Sequence, residues 1–209
     1  MRIALIGGKG GVGSSLVEAW RGEHELTVLD RSEAPLPGVR DVVGEAEDPG
    51  ALTAALEGAA AVVHLAAHLP HGSEAEQLPG TASALYGLTK RLAEQALRLA
   101  VEGPAPTAAE GPLLVTSLRL AYPTTAEAWP RWVTPLSEEQ GEPVLRTLED
   151  GTALSALHPE DLAAAVMAAL CRERGESYEA IAVTAAAHSI ADDSAQRLLG
   201  WHPRHVLAD

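Results

Sequence analysis

"IALIGGKGGVGSSLVEAW" fills residues 3–20, and its glycines admit two readings. The apolar run that stops at Gly7 has the pattern of a buried strand. Behind the glycines, Val12, Leu16, Val17 and Trp20 recur near helical spacing. A strand, a glycine turn and a helix in that order can hold a phosphate in two ways. Gly8 to Gly13 opens like G-x-x-x-x-G-K-[ST], the loop that cradles a nucleoside triphosphate. Gly7, Gly10 and Gly13 also stand at G-x-x-G-x-x-G, a spacing that suits a dinucleotide turn.

The triphosphate loop needs a lysine at position 14, where its charge reaches the β- and γ-phosphates, and this chain has Ser14. Lys9 resembles the extra signature lysine of the MinD/ParA-type ATPases, but that lysine supplements the loop lysine and does not replace it. The dinucleotide turn needs glycines for a tight bend, for close approach of the pyrophosphate and for packing helix against strand. Gly7, Gly10 and Gly13 supply them, with Gly11 and Val12 completing the turn. The N–H groups that open the helix then face the pyrophosphate. An acidic residue is expected at the end of the next strand, about 20 residues on. Asp30 closes "ELTVLD" (residues 25–30) in that place. Its carboxylate accepts from a ribose 2′-hydroxyl and repels a 2′-phosphate, which favours NAD. Arg31 follows directly and suits a phosphate, so NADP stays open. The alternative for Asp30 is a turn residue.

Composition narrows the partners. The chain has 209 residues, enough for one domain with a substantial core. Fifteen Lys+Arg against 29 Asp+Glu give a net charge of −14, which argues against nucleic acid or an anionic membrane as partner. Cys171 is the only cysteine, so no internal disulfide and no cysteine-built metal site is expected. No apolar run reaches the ~18 residues of a membrane span. A strand begins almost at Met1 with no signal peptide before it, and a cytoplasmic protein is expected.

Strands and helices alternate after the opening. Strands are expected at 25–29, 39–43, 61–66, 113–120 and 178–184, and helices at 49–57, 83–102, 159–172 and 191–199. Such alternation predicts an α/β fold with a doubly wound, Rossmann-like parallel sheet. Residues 1–121 are expected to form the dinucleotide-binding core. Residues 122–209, broken by Pro123, Pro130, Pro135 and Pro143, are expected to form a small, irregular C-terminal substrate lobe and the closing elements of the same domain. There Trp129, Arg131, Trp132 and Arg146 are candidate substrate contacts, with packing as the alternative.

"DVVGEAEDPGALTAALEGAAAVVHLAA" (41–67) and "ALYGLTKRLAEQAL" (84–97) resemble the extended short-chain dehydrogenase/reductases, the NAD-dependent epimerase/dehydratase group. The resemblance is strong over the first 100 residues. It is fainter in "VTSLRLAYP" (115–123), "ALSALHPEDLAAAVMAAL" (153–170), "YEAIAVTAAAHS" (178–189) and "LLGWHPRH" (198–205), which are most similar to uronate dehydrogenase-like members. It implies that Glu45 contacts the adenine amino group with Ala46 beside it, and that Leu65, Ala66 and Ala67 line the coenzyme. It also implies that Tyr86 is the proton acceptor and that Lys90 activates it and holds the nicotinamide ribose. Residues four apart share a helix face, so a lysine there stabilises phenolate and moves the phenol below its ordinary ~10. His64 reads as a packed residue. His158 and Asp161 read as organisers of a helix start. His68 and His71 either donate to a substrate or decorate a polar loop.

The chain departs from the family between "HLAA" and Tyr86. "HLPHGSEAEQLPGTASA" (68–84) is too short for the helix and strand found there in the family. The strand that would carry the carbonyl-polarising hydroxyl has no counterpart. Thr81 and Ser83 are the nearest hydroxyls, with helix N-capping as their other role. The resemblance implies a small-molecule substrate, a sugar or another hydroxy/keto compound. The family's dimer is built on the central helices, so with the shortened segment a homodimer with an atypical interface, or no dimer, is expected. A dinucleotide-binding sensor without turnover is the competing expectation.

Overall fold

The structure is a computed structural model that describes residues 1–66, 82–102, 113–132, 142–173, 175–185 and 192–207. Two compact units, Met1–His68 and Leu69–Asp209, make up the chain, so the core expected over 1–121 includes parts of both.

In the first unit the elements run β1 (Arg2–Ile6), α1 (Gly11–Trp20), β2 (Glu25–Asp30), β3 (Arg40–Val43), α2 (Pro49–Leu56) and β4 (Ala61–His64). The strands form one parallel sheet in the order β3-β2-β1-β4. Ile3, Ala4, Leu5 and Ile6 are all buried, as in a central parallel strand covered on both faces. α1 buries Leu16, Val17 and Trp20 of the periodic face read from the sequence, together with Gly13, and leaves Val12 half-buried. α2 starts where Asp48 accepts a hydrogen bond from the Gly50 N–H (2.8 Å) with Pro49 in the first turn. It closes Ala55 onto Ile6 and Leu29.

The register aligns the strand ends. Ile6 lies opposite Leu29 and His64, and Asp30 lies opposite Val43, so the four C-termini share one edge. From β1 the chain winds outward to β2 and β3, then returns to place β4 on the other side of β1. Order reverses between β1 and β4, where open α/β sheets receive ligands. The strand expected over 61–66 stops at His64. The N–H groups of Leu65 and Ala66 both donate to the Ile6 carbonyl (2.8 and 3.0 Å), which turns this segment across the end of β1.

In the second unit the elements are α3 (Ala82–Glu102), β5 (Val115–Leu120), β6 (Arg146–Thr147), β7 (Ala153–Leu154), α4 (Pro159–Leu170), β8 (Tyr178–Val183) and α5 (Ser194–Leu199). β5 and β8 form a parallel pair running from Val115 opposite Tyr178 to Leu120 opposite Val183. β6 and β7 form a short antiparallel hairpin. α3 lies on the β5–β8 pair, where Glu94 accepts from Ser117 Oγ (3.0 Å) and from both Nε and one Nη of Arg119 (2.9 and 2.7 Å). α5 is shorter than the helix expected over 191–199. Among the described residues, no helix is long and apolar enough to cross a membrane.

Candidate dinucleotide site

The glycines of the opening turn fall into two groups. Gly7 has φ +80°, and a Cβ there would lie 2.7 Å from the Ala66 nitrogen and 2.9 Å from its Cα. At Gly13 a Cβ would meet the Gly8 Cα and carbonyl oxygen, each at 2.5 Å. These two positions are glycine because the segment after β4 and the start of α1 press backbone against the turn. Gly10 and Gly11 have no such reason: among the described residues, a Cβ at Gly10 finds only the Gly7 oxygen at 3.5 Å, and one at Gly11 meets nothing within 4 Å. Their outer side is open.

That open side lies at the start of α1. Gly10 is the N-cap, no side chain caps the helix and its first turn holds no acid. A helix start leaves backbone N–H groups without intrahelical partners, and they carry the positive end of the helix dipole. Among the described residues, an anion brought over Gly10 and Gly11 would meet backbone donors with no side chain capping them. The Ser14 hydroxyl donates back to the Lys9 carbonyl (3.2 Å), so the position that would carry a triphosphate-binding lysine serves the turn itself.

Asp30 stands at the end of β2 beside this turn. Its Oδ2 accepts from the Lys9 backbone N–H (2.9 Å) and its Oδ1 from the Ser32 N–H (3.1 Å). Asp30 is thus the turn residue allowed by its type. Each carboxylate oxygen has a second acceptor site, so the turn role leaves capacity for a ribose hydroxyl. Arg31 and Glu45 are exposed. The Glu45 carbonyl accepts from the Asp48 N–H (3.1 Å) just before α2. Ala46 and Ala66 pack on the cluster of Ile6, Leu29 and Ala55, and Leu65 is half-buried. Gly7, Gly10, Gly11, Val12, Gly13, Asp30, Arg31, Glu45, Ala46, Leu65 and Ala66 therefore gather at one edge of a single sheet. Ala67, Thr81, His68 and His71 lie outside the described residues.

Ser83, Tyr86 and Lys90 all fall within α3, with Lys90 exposed one turn beyond Tyr86. The helical context expected for the Y-x-x-x-K spacing is present.

The four candidate contacts of the second unit separate into two settings. Arg146 lies over the rings of Trp132 (4.4 Å) and Tyr122 (5.1 Å), and those rings meet edge to face at 5.6 Å. Trp132 and Val144 exchange both backbone hydrogen bonds at 2.9 Å. This pins a hollow of about 320 Å³ lined by Trp132, Val144, Leu145, Arg146 and Thr147. Trp129 packs instead, donating from its indole to the Ala156 carbonyl (3.2 Å) with its edge on His158 and His205. Arg131 is exposed, and its carbonyl accepts from Thr124 Oγ1 (2.7 Å).

His158 and Asp161 organise the start of α4. The His158 Nδ1 accepts from the Glu160 N–H (3.2 Å) as the N-cap. The buried Asp161 carboxylate accepts from the N–H groups of Arg204 (3.1 Å) and His205 (2.8 Å), while Trp201 donates to its carbonyl (3.1 Å). Sequence reasoning missed that His205 stacks on His158 with centroids 3.7 Å apart. The two rings and Glu160 bring three ligand-type atoms within 4.8 Å of one another. A neutral His158 that accepts at Nδ1 carries its proton on Nε2 and has no outward lone pair for a metal. Burial, then the neighbouring His205, push the His158 pKa below its usual value. The His205 Nδ1 lies 3.2 Å from Asp161 Oδ2, within ion-pair range but off hydrogen-bond geometry.

Residues 3–105 match the model of the NAD-dependent epimerase/dehydratase family. The L-arabinose 1-dehydrogenase (NAD(P)(+)) of Haloferax volcanii is 42% identical over 67 residues, which make up 32% of this chain and 26% of that relative. The fold is similar to a UDP-glucose-4-epimerase from Stenotrophomonas maltophila solved with NAD and formylated UDP-arabinopyranose (TM-score 0.65, 18% identity, 98% of this chain and 94% of that one). It is also similar to MoeE5 in complex with UDP-glucose and NAD (TM-score 0.58, 19% identity, 99% and 95%). A glucuronic acid dehydrogenase from Chromohalobacter salexigens is a further structural relative (TM-score 0.60, 14% identity, 98% and 85%).

Proposed function

Because residues 3–105 match the model of the NAD-dependent epimerase/dehydratase family, we propose that the chain is an NAD-dependent oxidoreductase or epimerase-like enzyme acting on a sugar or small hydroxy/keto compound. The observation that carries this reading is the uncapped start of α1 under two glycines with open outer sides, next to the Asp30 carboxylate at the sheet's C-terminal edge. A pyrophosphate suits the first and a ribose hydroxyl the second. Glu45 and Ala46 take the adenine, and Leu65, Ala66 and Ala67 line the coenzyme. NADP is the second coenzyme to test, through Arg31.

A bound nicotinamide supplies the hydride chemistry. Tyr86 takes the substrate hydroxyl proton, and returns it in the reverse direction. The Lys90 ammonium favours the phenolate, since an adjacent positive charge stabilises the ionised form. Thr81 or Ser83 donates to the substrate carbonyl oxygen. Trp132 offers a ring face to a sugar, and the in-plane N–H groups of Arg146 suit a carboxylate or phosphate on it. The reading includes a homodimer with an atypical interface, which sedimentation velocity tests.

Calorimetry with NAD, NADP and magnesium–ATP tests the coenzyme assignment, and ATP binding without either dinucleotide would overturn it. A screen of sugars and hydroxy acids for reduced coenzyme then tests turnover. Tyr86→Phe is expected to abolish turnover and to leave NAD affinity within about twofold, because the phenol moves a proton and does not hold the dinucleotide. Turnover that survives this substitution removes Tyr86 from its role. One observation favours a second reading: only residues 65–81 join β4 to α3, too few for the family's extra helix and strand. A dinucleotide-binding sensor would bind NAD and fail every substrate.

A further inference from the structure

Lys9 sits inside the glycine turn, yet binding a pyrophosphate gives it no task. Its side chain is only 8% exposed, and its Nζ lies 2.7 Å from Asp41 Oδ2 and 2.7 Å from the Ser32 carbonyl oxygen. Its backbone N–H donates to Asp30 Oδ2 at 2.9 Å. One residue thus joins the glycine turn to the end of β2 and to the second residue of β3. An ammonium this buried needs a compensating charge, and Asp41 supplies it.

The location gives that pairing a consequence for ligand choice. Asp30 is the carboxylate assigned to the adenosine ribose, and Lys9 and Ser32 are the two residues whose backbone donates to it. Dinucleotides differ at this ribose by a 2′-phosphate. A lysine binds phosphate as a compact point charge, so an uncompensated Lys9 beside the ribose would attract NADP. Paired with Asp41, it offers no net charge.

We propose that Asp41 sets coenzyme choice: it neutralises and holds the Lys9 ammonium, and without it Lys9 becomes a receptor for the 2′-phosphate. Asp41 is a positioning residue that acts through Lys9. This rests on the coenzyme assignment made under the proposed function.

Calorimetry on the full chain tests it, with NAD, NADP, adenosine 2′,5′-bisphosphate and adenosine 5′-monophosphate as ligands. Wild-type protein is expected to prefer NAD. Asp41→Asn is expected to raise affinity for NADP and for the bisphosphate by roughly tenfold, within reach of one unscreened charge a few ångströms away. NAD and the monophosphate should stay within about twofold, since neither carries a 2′-phosphate. The double substitution K9M/D41N should lose that gain. Asp41→Ser gives the same comparison should Asp41→Asn lose its circular dichroism. Unchanged NADP affinity in a folded Asp41 variant that binds NAD overturns this inference alone. So does a gain that persists in K9M/D41N, which would assign the effect to the lost carboxylate and not to Lys9. Wild-type protein that binds neither coenzyme overturns the coenzyme assignment with it.

Discussion

A Cβ at Gly13 would fall 2.5 Å from two backbone atoms of Gly8, whereas one at Gly10 would make an ordinary contact at 3.5 Å. Substitutions at the two glycines should therefore fail in different ways. Gly13→Ala must push α1 off the turn and is expected to cost about 1–3 kcal/mol, read as a lower thermal midpoint. Gly10→Val should keep the midpoint within roughly 2 °C. Its side chain stands over the helix start, so NAD affinity should fall by more than about tenfold, measured by calorimetry. Equal loss of stability in both variants would contradict this division. His158 gives a second prediction at this scale. Burial and His205 hold its pKa below the usual value, and its N-cap bond requires the neutral ring. Unfolded chain then binds more protons than folded chain between the lowered pKa and the usual ~6.5. Stability is fully present above ~6.5 and is lost as pH falls through the lower value. His158→Asn caps the helix without titrating. Its thermal midpoint should fall less between pH ~7 and ~5 than the wild-type midpoint does, and parallel curves would count against the assignment.

At the scale of elements, α3 carries its own anchor. Glu94 takes two bonds from Arg119 and one from Ser117, and the Arg119 bonds hold its pKa below the ordinary carboxylate value. A depressed carboxylate pKa stabilises the fold above the unfolded value and loses that effect as pH falls through the folded one. Arg119 is 59% exposed, so water screens much of the ion pair. Glu94→Gln is expected to cost about 1 kcal/mol at neutral pH and little in acid, checked by urea unfolding at both. These hydrogen bonds tie α3 to β5, and Arg98 lies over the Tyr178 ring of β8 at 5.0 Å. Helix spacing alone showed a long amphipathic helix without naming the strands beneath it. The β6–β7 hairpin was likewise missed, because two-residue strands carry too short an alternation to read.

For the whole molecule, a ligand that binds only the folded chain raises its stability by mass action. At a concentration one hundred times its dissociation constant, NAD should add about 2.7 kcal/mol, seen as a concentration-dependent rise in thermal midpoint. No rise, with NAD bound by calorimetry, would mean that the unfolded chain binds NAD as well. Sequence alone determined the order of elements in the first unit, the glycine turn and the acid at the end of β2. Those features are local: hydrophobic period, turn chemistry and a fixed spacing write them into contiguous residues. Tertiary structure decided what lies far apart in the chain. It separated Gly7 and Gly13, fixed by backbone contact, from Gly10 and Gly11, which are open. It seated Lys9 on Asp41, drew Arg146 over Trp132 and Tyr122, and turned Trp129 into packing beneath the His158–His205 stack. Each of these depends on which distant residue the fold brings near, and a one-dimensional pattern carries no record of that distance.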